Sequence, residues 1–106
     1  MEPRTYFQRY LDDCFEKICA TKLVKEATIL NRFGVPVRST FSEESISVQN
    51  SGLYESLLDK ARVILHRLDP DDEVLIVRVK TINNEAVIAT DPENQLVFIT
   101  VQQPEP

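Results

Sequence analysis

The sequence predicts an α/β domain: a five-stranded antiparallel sheet in the order α-β-β-α-β-β-β, with a long crossover helix on one face. Three observations predict it. Apolar residues recur at helical spacing in two stretches, residues 3–21 and 53–68. Five short runs rich in β-branched or aromatic residues lie between Gly, Pro, Asn and Asp punctuation. The last three of those runs are joined by short turns, so they form an antiparallel meander. At 106 residues the chain makes one domain, 1–106, divided into an N-terminal helix (1–23), sheet plus long helix (24–102) and a short tail (103–106).

The first helix is expected over Pro3–Thr21. Phe7, Tyr10, Leu11, Cys14, Ile18 and Cys19 share a face, widened by Tyr6 and Phe15, and Pro3 suits the first turn. A strand over Glu26–Asn31 follows. Asn31-Arg32-Phe33-Gly34 is the clearest turn in the chain, because Gly34 adopts positive φ freely and Asn31 accepts nearby backbone hydrogen bonds. Phe33 is expected either to tuck against the sheet end or to touch a partner. Val35–Thr40 returns as a strand, and Pro36 confines it to an edge. Ser42, Glu44 and Ser45 offer candidate caps, so the long helix starts anywhere from Glu43 to Ser51 and has its apolar body over Leu53–Leu68. Pro70 ends it by biasing Asp69 out of helical dihedrals. Strands are expected over Val74–Lys80, Glu85–Thr90 and Gln95–Gln102, with turns at Asn83-Asn84 and Asp91–Asn94. Leu96-Val97-Phe98-Ile99 is apolar at every position, which predicts a central strand covered on both faces.

Bulk composition excludes several classes. A formal net charge of −5, with Lys and Arg scattered singly, argues against nucleic acid. No apolar run approaches the ~20 residues that span a bilayer. The first residues carry no apolar secretory core, so the cytosol is the expected compartment. Cys14 and Cys19 lie on different helix faces and read as small buried hydrophobes rather than a disulfide or a zinc pair.

No constellation for chemistry stands out, and no enzyme, cofactor, metal or small-molecule substrate is expected. Asp69, Asp71, Asp72 and Glu73 lack the Gly and the bidentate Glu of a calcium loop. His66, the single histidine, falls on the polar face of the last helical turn. Ser39, Ser42, Ser45, Ser47 and Ser51 have no nucleophile-elbow context and read as caps, loop polarity or a phosphorylation site. Gly34 and Gly52 are the only glycines, too few for a phosphate-cradling loop.

The joints of this pattern resemble the roadblock family of dynein light chains. The residues that carry the resemblance are Asn31…Gly34-Val35-Pro36-Val37-Arg38-Ser39-Thr40 in the first hairpin and Lys60-Ala61-Arg62 in the helix. They continue through Leu68-Asp69-Pro70, Arg78-Val79-Lys80 and Glu85…Ala89…Asp91, to Val97…Val101-Gln102…Pro104. The resemblance implies a roadblock/profilin-like fold that dimerises through helix 2 and strand 3, as a homodimer or a heterodimer with a paralogue. It implies a non-catalytic light chain of a cytoplasmic or axonemal dynein, clasping the motor's intermediate chain on microtubules. Relatives of the same fold scaffold or regulate small GTPases, which is the alternative.

The residues supply their own reason for a partner. With Tyr54, the apolar stripe Leu53, Leu57, Leu58, Ala61, Ile64, Leu65 and Leu68 spans roughly 140°, wider than the ~100° that one sheet covers. Strand 3 would be a long apolar edge, with Arg78 and Lys80 as its gatekeepers. Pairing with a second copy hides both. The expected dimer residues are Leu58, Arg62, Leu65, Ile76 and Arg78. A further expectation is that one sheet face is thinly covered and takes an amphipathic segment of a partner.

Overall fold

The computed structural model describes residues 5–40 and 44–103, with backbone alone for 44–48. The elements are α1 (Tyr6–Cys19), β1 (Val24–Leu30), β2 (Pro36–Ser39), α2 (Glu44–Leu68), β3 (Ile76–Lys80), β4 (Glu85–Asp91) and β5 (Leu96–Gln102). The strands form one antiparallel sheet in the order β2-β1-β5-β4-β3. The order of elements is the one expected. β5 is the middle strand, and β2 and β3 are the edges.

The alternation along β5 explains its central place. Leu96 and Phe98 pack with Leu11, Ile29, Tyr10, Cys14 and Phe15, on the face that α1 covers. Val97 and Ile99 pack with Leu30, Ile88, Leu58 and Tyr54, on the face that α2 covers. One helix therefore packs on each face, nearest to β1 and β2, and leaves β3 exposed. Burying Ile29, Leu30, Leu58 and Ile88 completely stabilises the fold by roughly 1.5–3 kcal/mol each.

Several boundaries differ from expectation. α1 starts after Thr5 because Thr5 and Gln8 form a reciprocal cap: Gln8 N–H donates to Thr5 Oγ1 (3.1 Å) and Thr5 N–H to Gln8 Oε1 (2.9 Å). Pro3, and the caps proposed around Ser42 to Ser45, lie outside the described side chains. β1 begins at Val24 rather than Glu26, with an irregular register against β5 between those two residues. β3 begins at Ile76 rather than Val74, because beyond Leu75 the ladder gives way to the side chain of Thr90. Its Oγ1 donates to the Val74 carbonyl (3.0 Å) and its N–H to the Leu75 carbonyl (2.9 Å). Cys14 is half-buried, as a small hydrophobe would be, but Cys19 is exposed, at the very end of α1.

Two polar links hold α1 in place. Arg38 Nε donates to Asp12 Oδ1 at 2.9 Å, tying β2 to the helix. The Tyr10 hydroxyl donates to Asp91 Oδ2 at 2.8 Å, tying the helix to the end of β4. Burial pushes the Asp91 carboxyl up. Hydrogen bonds from Asn94, Tyr10 and the backbone of Asn94 and Glu93 outweigh that and leave it below its ordinary value. The bond to Asp91, then burial, then Cys14 hold the Tyr10 hydroxyl well above the usual phenol range.

Candidate interaction surface

The β1–β2 turn orients the long helix. Asn31 Oδ1 accepts from the N–H groups of Phe33 (2.9 Å) and Val35 (3.0 Å), and Gly34 N–H donates to the Asn31 carbonyl at 3.0 Å. Gly34 sits at φ +77°, with the Glu55 carboxylate against it. The Glu55 flank of α2 thus faces the hairpin, on the β2 side of the sheet. Phe33 does not tuck in. It is exposed, with the Arg32 guanidinium 4.5 Å above its ring.

Tyr54 and Leu58 pack into the core on the sheet, and Leu65, on the same side of the helix, is half-buried. Leu53, Leu57, Ile64 and Leu68 lie roughly 100° round the helix from that line, on the flank opposite Glu55. They are 72%, 37%, 60% and 79% exposed. The wide stripe read from the sequence is therefore two stripes. One is buried in the chain's own core, and one faces outward, toward the β4–β3 side of the sheet.

β3 is the unpaired edge on that side. Leu75, Ile76 and Val79 expose large apolar side chains along it. Arg78 is exposed and reaches Glu85 Oε1 at 3.3 Å across to β4, where Glu85 is nearly buried. The outward helix stripe and the free strand edge lie on the same side of the molecule, and exposed apolar surface of this kind marks interaction sites.

The five residues expected to form the dimer do not all belong to this surface. Leu58 is a correction: it is 1% exposed and sits in the core, because its wheel position points at the sheet rather than away from it. Arg62 and Leu65 line a cavity of about 670 Å³ between α2, the β1–β2 turn and the β4–β5 turn, off the outward flank. Arg62 also approaches Asp59 at 3.4 Å, an exposed pair that contributes little. Ile76 and Arg78 do lie at the free edge. The exposed apolar residues of the outward flank, named in the stripe but not among those five, are Leu53, Leu57, Ile64 and Leu68. The signal was present in their spacing, which is symmetric about Lys60 and Ala61.

No family model matches the chain. The fold, however, superposes on the crystal structure of a Roadblock/LC7 domain from Streptomyces avermitilis, with a TM-score of 0.73 over 86% of this chain and 75% of that one, at 13% identity. The chain has the roadblock fold. In this fold Lys60-Ala61-Arg62 marks the midpoint of the outward helix face, and Arg78-Val79-Lys80 forms the end of the free edge. Among the described residues no group of three or more His, Cys, Asp or Glu is placed to hold a metal, and no helix is long and apolar enough to cross a membrane.

Proposed function

We propose that this roadblock domain is a non-catalytic adaptor that works as a two-fold dimer, and that it serves as a light chain of a dynein motor by binding the intermediate chain. The observation that carries the dimer is the arrangement of the outward stripe. Leu53 and Leu68, and likewise Leu57 and Ile64, stand at equal distances on either side of Lys60 and Ala61. Two antiparallel copies of such a helix bring Leu53 against the partner's Leu68 and Leu57 against the partner's Ile64 at once. The spacing is that of any helical stripe, so what supports a two-fold contact is that all four side chains are exposed and can meet their own copies in antiparallel. The free β3 edge on the same side supports the same partner.

The dynein assignment is supported by the sequence resemblance, and it places the dimer in the cytoplasm on microtubules. Pull-down of the purified chain with intermediate-chain fragments and, in parallel, with a panel of small GTPases tests it. Capture of intermediate-chain fragments is the expected result. Capture of GTPases alone would replace the motor role with a GTPase scaffold.

A further inference from the structure

The cavity between α2, the β1–β2 turn and the β4–β5 turn has a volume of about 670 Å³, the size of a small-molecule site. Its apolar lining includes half-buried Leu65 and Val97 and the buried Leu96. Arg62 and His66 enter it from one flank of α2, one turn apart. Arg32 reaches the same cavity from the hairpin, and Arg67 lines it as well.

Four carboxylates also line the cavity, those of Glu55, Asp72, Glu73 and Asp91. The two sets do not neutralise each other. Among the described residues no ion pair joins them, and neither Arg32 nor Arg67 has an acidic partner. Arg62 has only its exposed approach to Asp59 at 3.4 Å. Most of the carboxylates, by contrast, are already engaged. Asp91 accepts from the Tyr10 hydroxyl (2.8 Å) and the Asn94 side chain (2.9 Å). Asp72 accepts from the Glu73 N–H (2.9 Å), and the Glu55 carboxylate rests against Gly34. Glu73 alone lacks such a contact, so the unmet charge in the cavity is mainly guanidinium. The chain as a whole carries a formal charge of −5 and would repel an anion elsewhere.

Gln95 adds a second, independent sign. Among the described residues it is the one non-glycine with a left-handed backbone, φ 55°, and it lines this cavity. Outliers of this kind cluster at ligand clamps.

We propose that this cavity binds a small organic acid, a single carboxylate on an apolar body. The carboxylate is met by the Arg62 and Arg32 guanidinium groups, whose planar forks match it, and the body lies on Leu65 and Leu96. Glu73, with Asp72 beside it, disfavours a dianion such as phosphate.

Backbone amide NMR shifts of the full chain test it, with four probes at constant ionic strength: hydrocinnamate, its neutral amide, phenylpropylamine and inorganic phosphate. Hydrocinnamate is expected to move the amides of Arg32, Gln95 and Val97. It should bind roughly ten-fold tighter than the amide, the scale of one charge-assisted hydrogen bond. Arg62→Gln should remove most of that preference, and Arg32→Gln repeats the test from the hairpin. Lys22→Gln makes the same charge change in the exposed turn at the other end of β1 and should leave binding as it was. The same spectra show that each variant is folded. Equal binding of acid and amide, tighter binding of the amine, phosphate moving the same amides as strongly, or no shift at millimolar hydrocinnamate overturns the proposal. So does a Lys22→Gln chain that loses as much affinity as Arg62→Gln. One copy carries every residue of the site, so none of these outcomes bears on the dimer.

Discussion

A Cβ atom at position 34 would collide with the carboxylate of Glu55, so the first hairpin lies against the Glu55 flank of the long helix. That contact decides which side of α2 looks away from β2, and hence where the outward apolar stripe falls. Gly34→Ala adds the collision to the strain of a positive φ. It is expected to cost about 1–2 kcal/mol, because the Glu55 carboxylate is the movable end of its side chain. Adding Glu55→Ala should leave only the dihedral part. Urea unfolding midpoints of the two variants measure the difference.

Leu58→Ala separates the core from the interface. Leu58 is sealed between Leu30, Ile88 and Ile99, so truncation should cost about 2–5 kcal/mol of folding stability. Chemical denaturation checks it. A change in dimer strength with no loss of stability would place Leu58 outside the core.

The Tyr10–Asp91 bond makes stability depend on pH at both ends. Asp91 ionises more readily in the folded chain than in the unfolded one. Its contribution is therefore complete above the ordinary carboxylate value of about 4 and is lost as pH falls through the lower folded value. Tyr10 holds its proton more tightly when folded, so its contribution is lost as pH rises above about 10. Tyr10→Phe should cost about 1 kcal/mol near neutrality, and this deficit should shrink at both extremes. Thermal melts from acid to alkaline pH measure it, and a pH-independent difference would show that the bond does not titrate.

Much of the fold was legible because one-residue signals decided it. Pro36 placed β2 at an edge, Gly34 with Asn31 set the hairpin, and the unbroken Leu96–Ile99 run marked the central strand. The ends were less legible. β1 starts through an irregularity against β5, and β3 is shortened by the Thr90 side chain, both tertiary effects. Leu58 was placed at the surface for a specific reason. Leu58 and Leu57 are adjacent on one wide arc, and periodicity cannot tell which half of that arc the sheet takes. The Gly34–Glu55 contact settles it, and it joins residues far apart in the sequence.

Leu57→Asp and Ile64→Asp place an unpaired carboxylate in the outward stripe, and each should dissociate a dimer while leaving the monomer folded. Leu65→Asp, on the sheet-facing side, should instead weaken the fold. Circular dichroism and sedimentation together distinguish the two outcomes.

The solution mass of the unmodified chain by sedimentation equilibrium tests the central claim most directly. A monomer weighs 12.2 kDa. Twice that mass in the parent, reverting to a folded single copy in Leu57→Asp, is the predicted result. A parent that stays at 12.2 kDa across the whole concentration range would contradict it.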